Sequence, residues 1–220
     1  MRTLILGATG RTGTLIVCEA LHRGLEIRCL VRSEPKAFFN TAHKNIELIE
    51  GNPSNSLDLR EALTGCDQVI SALNVSRHSD FPWSRLRSPK TLMSDTIGNL
   101  ISLSDKIPIR KLVICSAWGV GDTKKDIPVW FRWMIKNSNI GPAYEDHERQ
   151  ENLLQKSNLK WTIVRPVGLV NGEKDQLIIE SFNNTPKPRL TINRKTVAHY
   201  MINALDNPKL DYMCPVISAK

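Results

Sequence analysis

The 220 residues are 41% hydrophobic and 24% charged, a balance that sets aside collagenous, low-complexity and disordered chains. The formal charge of +8 comes from cations scattered along the chain, without the continuous basic helix face or aromatic-interleaved motif of a nucleic-acid module, so no nucleic-acid partner is expected. The five cysteines form no C-x-x-C pair and no His cluster lies near them, which argues against a disulfide framework or a metal site.

The elements read as strand and helix in alternation. TLIL (3–6) is predicted as a strand, residues 11–23 as a helix closed by Gly24, and EIRCLVR (26–32) as the second strand. Residues 35–40 read as an irregular helix or loop, and IELIEG (46–51) as the third strand. SLDLREALTG (56–65) has the apolar spacing of a helix, with Ser56 as its cap, and DQVISAL (67–73) is the fourth strand. A helix over 90–106 leads to KLVICSA (111–117), the fifth strand. Helices are expected over 127–137 and 143–157, then the strand WTIVRP (161–166), a helix over 194–206 and a last strand MCPVIS (213–218). Strands apolar on both faces, each followed by a helix, imply a single α/β domain over 1–220: a doubly wound, mostly parallel sheet of the Rossmann type. No apolar run approaches the roughly 20 residues of a membrane span, and Gly7 interrupts the first one too early for a leader. A cytoplasmic monomer or weak homodimer, away from membranes, is expected.

Chemistry in such sheets sits beyond the carboxyl ends of the strands. Gly7, Gly10 and Gly13 lie there, between the first strand and the first helix, spaced G-x-x-G-x-x-G. Glycines at such a point allow a tight turn, a close approach of backbone to a pyrophosphate and a helix seated near the sheet. The helix N-terminus offers free N–H groups to the phosphate, and Thr9 and Thr12 add hydroxyls. The second strand ends Val31-Arg32-Ser33-Glu34-Pro35-Lys36. Arg32 stands where a 2′-phosphate needs a cation, with Ser33 and Lys36 as further donors and Arg11 beside it, so NADP is favoured over NAD. Glu34, if turned inward, would favour NAD instead.

GATGRTG, LVRSEPK, GNPSN after the third strand and WTIVRPVGL, in that order, make the chain resemble an atypical short-chain dehydrogenase/reductase. Within that superfamily it is similar to the group holding biliverdin reductase B, a flavin reductase, and to the NmrA-like NADP-binding proteins. The resemblance implies roles for further residues. Asn52 would lie near the adenine; Ala72, Leu73 and Asn74 would pass over the cofactor ribose. Ser116 would stand near the nicotinamide, and Pro166, Val167 and Gly168 would frame its amide. The Tyr-x-x-x-Lys pair of the standard enzymes is not matched: Tyr144 is followed four residues on by Glu148, which would raise the phenol pKa. Glu145-Asp146-His147 resembles instead the biliverdin reductase B stretch. His147 would there hold the ribose or supply a proton; it is equally compatible with a surface position on a charged helix.

Trp118, Trp130 and Trp133 follow the fifth strand on the expected substrate side and suit the wall of a flat acceptor, or the buried face of a helix. Substrate-side elements are expected from about 75–90, 118–142 and 167–190. In the first of these, Arg77, His78, Arg85 and Arg87 would attract an anionic substrate. Two functions follow: an NADPH-dependent reductase of a small conjugated acceptor (flavin, quinone or carbonyl compound), or a non-catalytic NADP(H)-binding sensor of the NmrA-like type.

Overall fold

The computed structural model describes residues 1–32 and 44–220. The expected loop over 35–40, and with it Ser33, Glu34 and Lys36, lies outside the described residues.

Each of the seven expected strands is present. β1 (Arg2–Leu6), β2 (Glu26–Val31), β3 (Ile46–Glu50), β4 (Gln68–Ser71), β5 (Lys111–Cys115), β6 (Trp161–Pro166) and a terminal strand, Val216–Ala219, share one sheet. Three short strands had no counterpart in the sequence reading: β7 (Gly168–Val170), β8 (Ile178–Ser181) and β9 (Thr191–Asn193), which makes the terminal strand β10. The large sheet runs β3-β2-β1-β4-β5-β6-β10-β8, parallel except for the β10–β8 pair, while β7 and β9 form a parallel pair of their own. The order reverses between β1 and β4, which places the ligand crevice of such a sheet beyond their carboxyl ends.

Side-chain alternation along the strands explains both layers. Ile5, Cys29, Ile70, Val113 and Val164 pack toward helices α1 (Arg11–His22) and α6 (Arg194–Leu205). Leu4, Leu6, Leu30, Val69, Leu112 and Ile163 form the opposite core, with α2 (Ser56–Leu63), α3 (Leu92–Ser104) and α5 (Gly141–Gln155). The remaining helix, α4 (Val129–Lys136), rests on the surface with no residue fully buried.

Local signals decide where the helices begin and end. α1 closes as expected at Gly24, whose N–H bonds the Leu21 carbonyl while Leu25 N–H reaches Ala20; the left-handed backbone this requires (φ +72°) favours glycine. At α2 the cap is Asn55, not Ser56: its side chain accepts from the N–H groups of Leu57 and Asp58. Ser56 is the first helical residue. α3 has no cap from its own N-terminal residue. Asp146 of α5, fully buried, does that work from a distance, accepting from Met93 N–H at 2.8 Å and from the Ser94 hydroxyl at 2.5 Å.

Candidate dinucleotide site

The glycine turn is built around contacts that leave no room for a side chain. A Cβ on Gly13 would lie 2.0 Å from the Gly7 carbonyl oxygen, and one on Gly7 would lie 2.8 Å from the backbone carbonyl of Ala72. Gly7 also holds φ at +78°. Gly10 N–H closes the turn on the Gly7 carbonyl at 2.9 Å. The result seats α1 against the ends of β1 and β4. Its N-cap, Gly10, contributes no side-chain hydrogen bond and no acidic residue lies in the first turn, so the helix N-terminus is left to an anion from outside.

A cleft of about 610 Å³ opens at this point, within the range of small-molecule and cofactor sites. Gly7, Thr9, Gly10, Arg11 and Thr12 line it from the turn, Arg32 from the end of β2, and Ala72, Leu73 and Asn74 from the end of β4. Its far wall is a strap over residues 76–88, held as a hairpin by Arg87 N–H to the Ser76 carbonyl and His78 N–H to the Arg85 carbonyl. Arg77, His78, Asp80 and Arg87 of this strap face the cleft, and Arg194, the first residue of α6, joins them.

Five arginines, 11, 32, 77, 87 and 194, thus line one cleft; among the described residues its lining holds a single carboxylate, Asp80. Asp80 meets Arg11 with two hydrogen bonds of 2.8 Å. Those bonds and the charge of Arg11 hold the Asp80 carboxyl below the usual carboxylate range. Burial and the neighbouring Arg11 charge lower the pKa of Arg77, whose Nε is buried and has no hydrogen-bond partner among the described residues, as is true of the hydroxyl of Ser76 beside it. Buried polar groups left unpaired cost about 1–3 kcal/mol each.

The other expected site residues lie elsewhere. Asn52 is exposed and outside the cleft lining; its N–H bonds Asp58 and its side chain turns back on Ser54 N–H, while the adjacent Pro53 lines the cleft. Pro166 and Val167 are buried, and their backbone groups serve Trp118 N–H and the Ile217 carbonyl; Gly168 N–H pairs with Leu190. Ser116 donates to the Glu151 carboxylate at 2.5 Å. Glu151 is itself buried against Arg165, with contacts of 3.0 and 2.6 Å. Tyr144 is half-buried, its hydroxyl donating to the Trp118 carbonyl. Burial raises its pKa, so it stays protonated at neutral pH. Glu148, which sequence logic offers as the cause of such a rise, is engaged with Lys124 instead. Trp118 sits in the core, 6% exposed, whereas Trp130 and Trp133 point outward and do not line the cleft.

His147 is not on the surface. It is 5% exposed, and its Nδ1 accepts from the Gln150 amide at 2.8 Å; the same amide reaches the Cys115 carbonyl at the end of β5. Burial pushes its pKa down to about 4, so the ring is neutral near pH 7. The unfolded chain takes up a proton near pH 6.5 and the folded one only near 4. Stability is therefore expected to fall as pH drops through that window, by about 3 kcal/mol at 1.4 kcal/mol per unit. Urea denaturation from pH 7 to 4 should show a shallower decline in a His147→Gln variant than in the native chain; parallel curves would refute the buried neutral imidazole.

Of the residues expected from sequence, Gly7, Thr9, Gly10, Arg11, Thr12, Arg32, Arg77, His78 and Arg87 line this cleft, while Arg85 of the strap does not. Sequence reasoning missed Arg194 and Asp80, since nothing in the sequence ties either to Arg11, 183 and 69 positions away.

A Rossmann sheet with a glycine turn and a cationic cleft at its switch point defines a dinucleotide-binding protein. The model of the NAD(P)H-binding family matches residues 7–208, and the chain belongs to that family. It is 31% identical over 201 residues to photosystem II assembly factor Ycf39 of Trieres chinensis, a match covering 91% of this chain but 56% of that protein. The chain thus spans little more than half of that relative. Among solved structures it is similar to a Veillonella parvula short-chain dehydrogenase/reductase in complex with NADP (TM-score 0.79, 19% identity, 99% of this chain and 94% of that one). It also resembles ChuY, an anaerobillin reductase of Escherichia coli O157:H7 (TM-score 0.78, 17% identity, 100% and 97%). These likenesses show that the chain shares their fold. Among the described residues no helix is long and apolar enough to cross a membrane.

Proposed function

We propose that this chain binds NADPH in the cleft and acts as a reductase of a small conjugated acceptor such as a flavin, a quinone or a related carbonyl compound. The observation that carries the reading is the cleft at the α1 N-terminus, lined among the described residues by five arginines and one carboxylate. NADP carries one phosphate more than NAD, and a cation at the end of β2 is where that phosphate belongs. The cofactor fits the residues present: the turn has the bare backbone a diphosphate needs to approach, and Arg11, Arg32, Arg77, Arg87 and Arg194 line the cleft beside it.

In this reading Gly10 to Thr12 and the α1 N-terminus hold the diphosphate, and Arg32 the adenosine 2′-phosphate, with Ser33 and Lys36 in support. Ala72 to Asn74 flank the ribose. When bound, the nicotinamide supplies a hydride. The chain supplies orientation and a cleft walled by the 76–88 strap, from which the acceptor approaches. Conjugated acceptors suit a site with little acid–base machinery: Tyr144, Ser116 and His147 are engaged in the interior. That same observation favours a second reading, an NADP(H)-binding sensor that turns nothing over and acts through a protein partner, in line with the assembly-factor name of its Ycf39 relative.

Arg32→Ala should weaken NADPH binding in calorimetry about tenfold or more, the loss of one charge-assisted contact, and change NADH binding little. An equal loss for both cofactors would remove Arg32 from the 2′-phosphate. Oxidation of NADPH by a panel of flavins and quinones separates the readings: a reductase consumes it, a sensor binds it without turnover.

A further inference from the structure

We propose that α4 and the tip of the 76–88 strap form a docking face for an anionic lipid bilayer. Val129, Trp130 and Trp133 of α4 are 77%, 63% and 60% exposed, and Phe81 and Trp83 of the strap are 62% and 47% exposed. The two elements are joined. Trp83 Nε1–H donates to the Asn137 carbonyl at 2.7 Å, at the C-terminal end of α4. The Asn139 amide donates to the carbonyls of Trp83 and Ser84, and Asn139 N–H to that of Pro82. The aromatic side chains therefore belong to one braced surface and not to two independent loops. The inner side of α4 is satisfied through Phe131 and Ile135, so Trp130 and Trp133 contribute nothing to the core.

Large exposed apolar groups held in a fixed arrangement mark an interaction surface. The charge around them says what kind. From Ile127 to Tyr144 the sequence holds Arg132 and Lys136 and no Asp or Glu. Arg85 is exposed on the strap, and Asp80 at its tip is neutralised by Arg11. Tryptophan favours the headgroup level of a bilayer, where its ring is half in hydrocarbon and its N–H is wet. Cations interleaved with such rings on a surface helix are drawn to anionic headgroups. α4 is a surface helix with no fully buried residue, suited to lying in such a plane, and the +8 charge of the chain adds long-range attraction.

The test is sedimentation of the full-length chain with vesicles of phosphatidylcholine, with and without phosphatidylglycerol, alongside tryptophan emission. Binding is expected with the anionic vesicles, with a blue shift, and about tenfold weaker with neutral vesicles or at high salt. Trp130→Ser/Trp133→Ser should weaken it about tenfold, and Arg132→Glu/Lys136→Glu should abolish the preference for phosphatidylglycerol. Circular dichroism should show both variants folded, since the altered side chains lie outside the core. Absence of binding at millimolar lipid, as for a face that takes an acidic protein, would overturn the proposal. So would variants that bind as well as the native chain.

Discussion

Replacing Gly13 with alanine is expected to destabilise the chain by roughly 3 kcal/mol, at the upper end of overpacking costs, and to abolish dinucleotide uptake. The added methyl would stand 2.0 Å from the Gly7 carbonyl oxygen, 2.8 Å from its carbon and 3.0 Å from Ala8 Cα. All three are backbone atoms, so no side-chain rotamer relieves the clash. α1 must move away from the β1 turn, and its packing on α6 and β2 goes with it. The turn is also where the phosphate would rest, so affinity and stability should fall together. Urea denaturation and NADPH calorimetry on the same preparation check this. A Gly13→Ala protein of native stability and native affinity would refute the close approach. Gly24→Ala is the control: a Cβ there meets nothing within 4 Å, so only the strain of a left-handed residue remains, about 1 kcal/mol.

Arg165→Met is expected to cost about 3–5 kcal/mol of folding free energy, the range for removing one partner of a buried ion pair. Arg165 and Glu151 are each 3% exposed as side chains. Burial lowers the guanidinium pKa, but the hydrogen bonds and charge of Glu151 outweigh it and hold Arg165 above its usual pKa range, with Asp122 assisting. Without Arg165 the Glu151 carboxylate keeps, among the described residues, the Ser116 hydroxyl as its hydrogen-bond partner. The double variant Arg165→Met/Glu151→Met should recover much of the loss, because two apolar side chains replace the pair without stranding a charge. Guanidinium denaturation of the single and double variants decides it; a double variant no more stable than Arg165→Met would show that the pair is not a unit. The pair also fixes Ser116, so the hydroxyl that family resemblance assigns to the nicotinamide has its proton committed to Glu151.

The particular residues show how far the sequence reached. Seven strands were legible because each is a short apolar run bounded by glycine, proline or polar residues. β7, β8 and β9 were not, since strands of three or four residues are too short to carry a periodic signal. Ser56 was the natural cap for α2 by residue type, yet Asn55, one position earlier and equally suited, took the role; such ambiguity is intrinsic to adjacent capping residues. For His147 the sequence left open a role at the ribose or as a proton donor and a surface position; α5 buries it, with Gln150 beside it reaching the Cys115 carbonyl at the end of β5.

Local chemistry along the chain by itself determined the alternation of strand and helix, the glycine turn and the arginine at the end of β2, because each depends on neighbours within a few residues. Contacts across long separations were decided only by the tertiary structure. Asp146 caps a helix 53 positions back; Arg194 and Asp80 gather with Arg11 at one cleft; Ser116, Glu151 and Arg165 form a buried unit. Such partners share no spacing or periodicity, so folding alone brings them together, and with them the charge of the site.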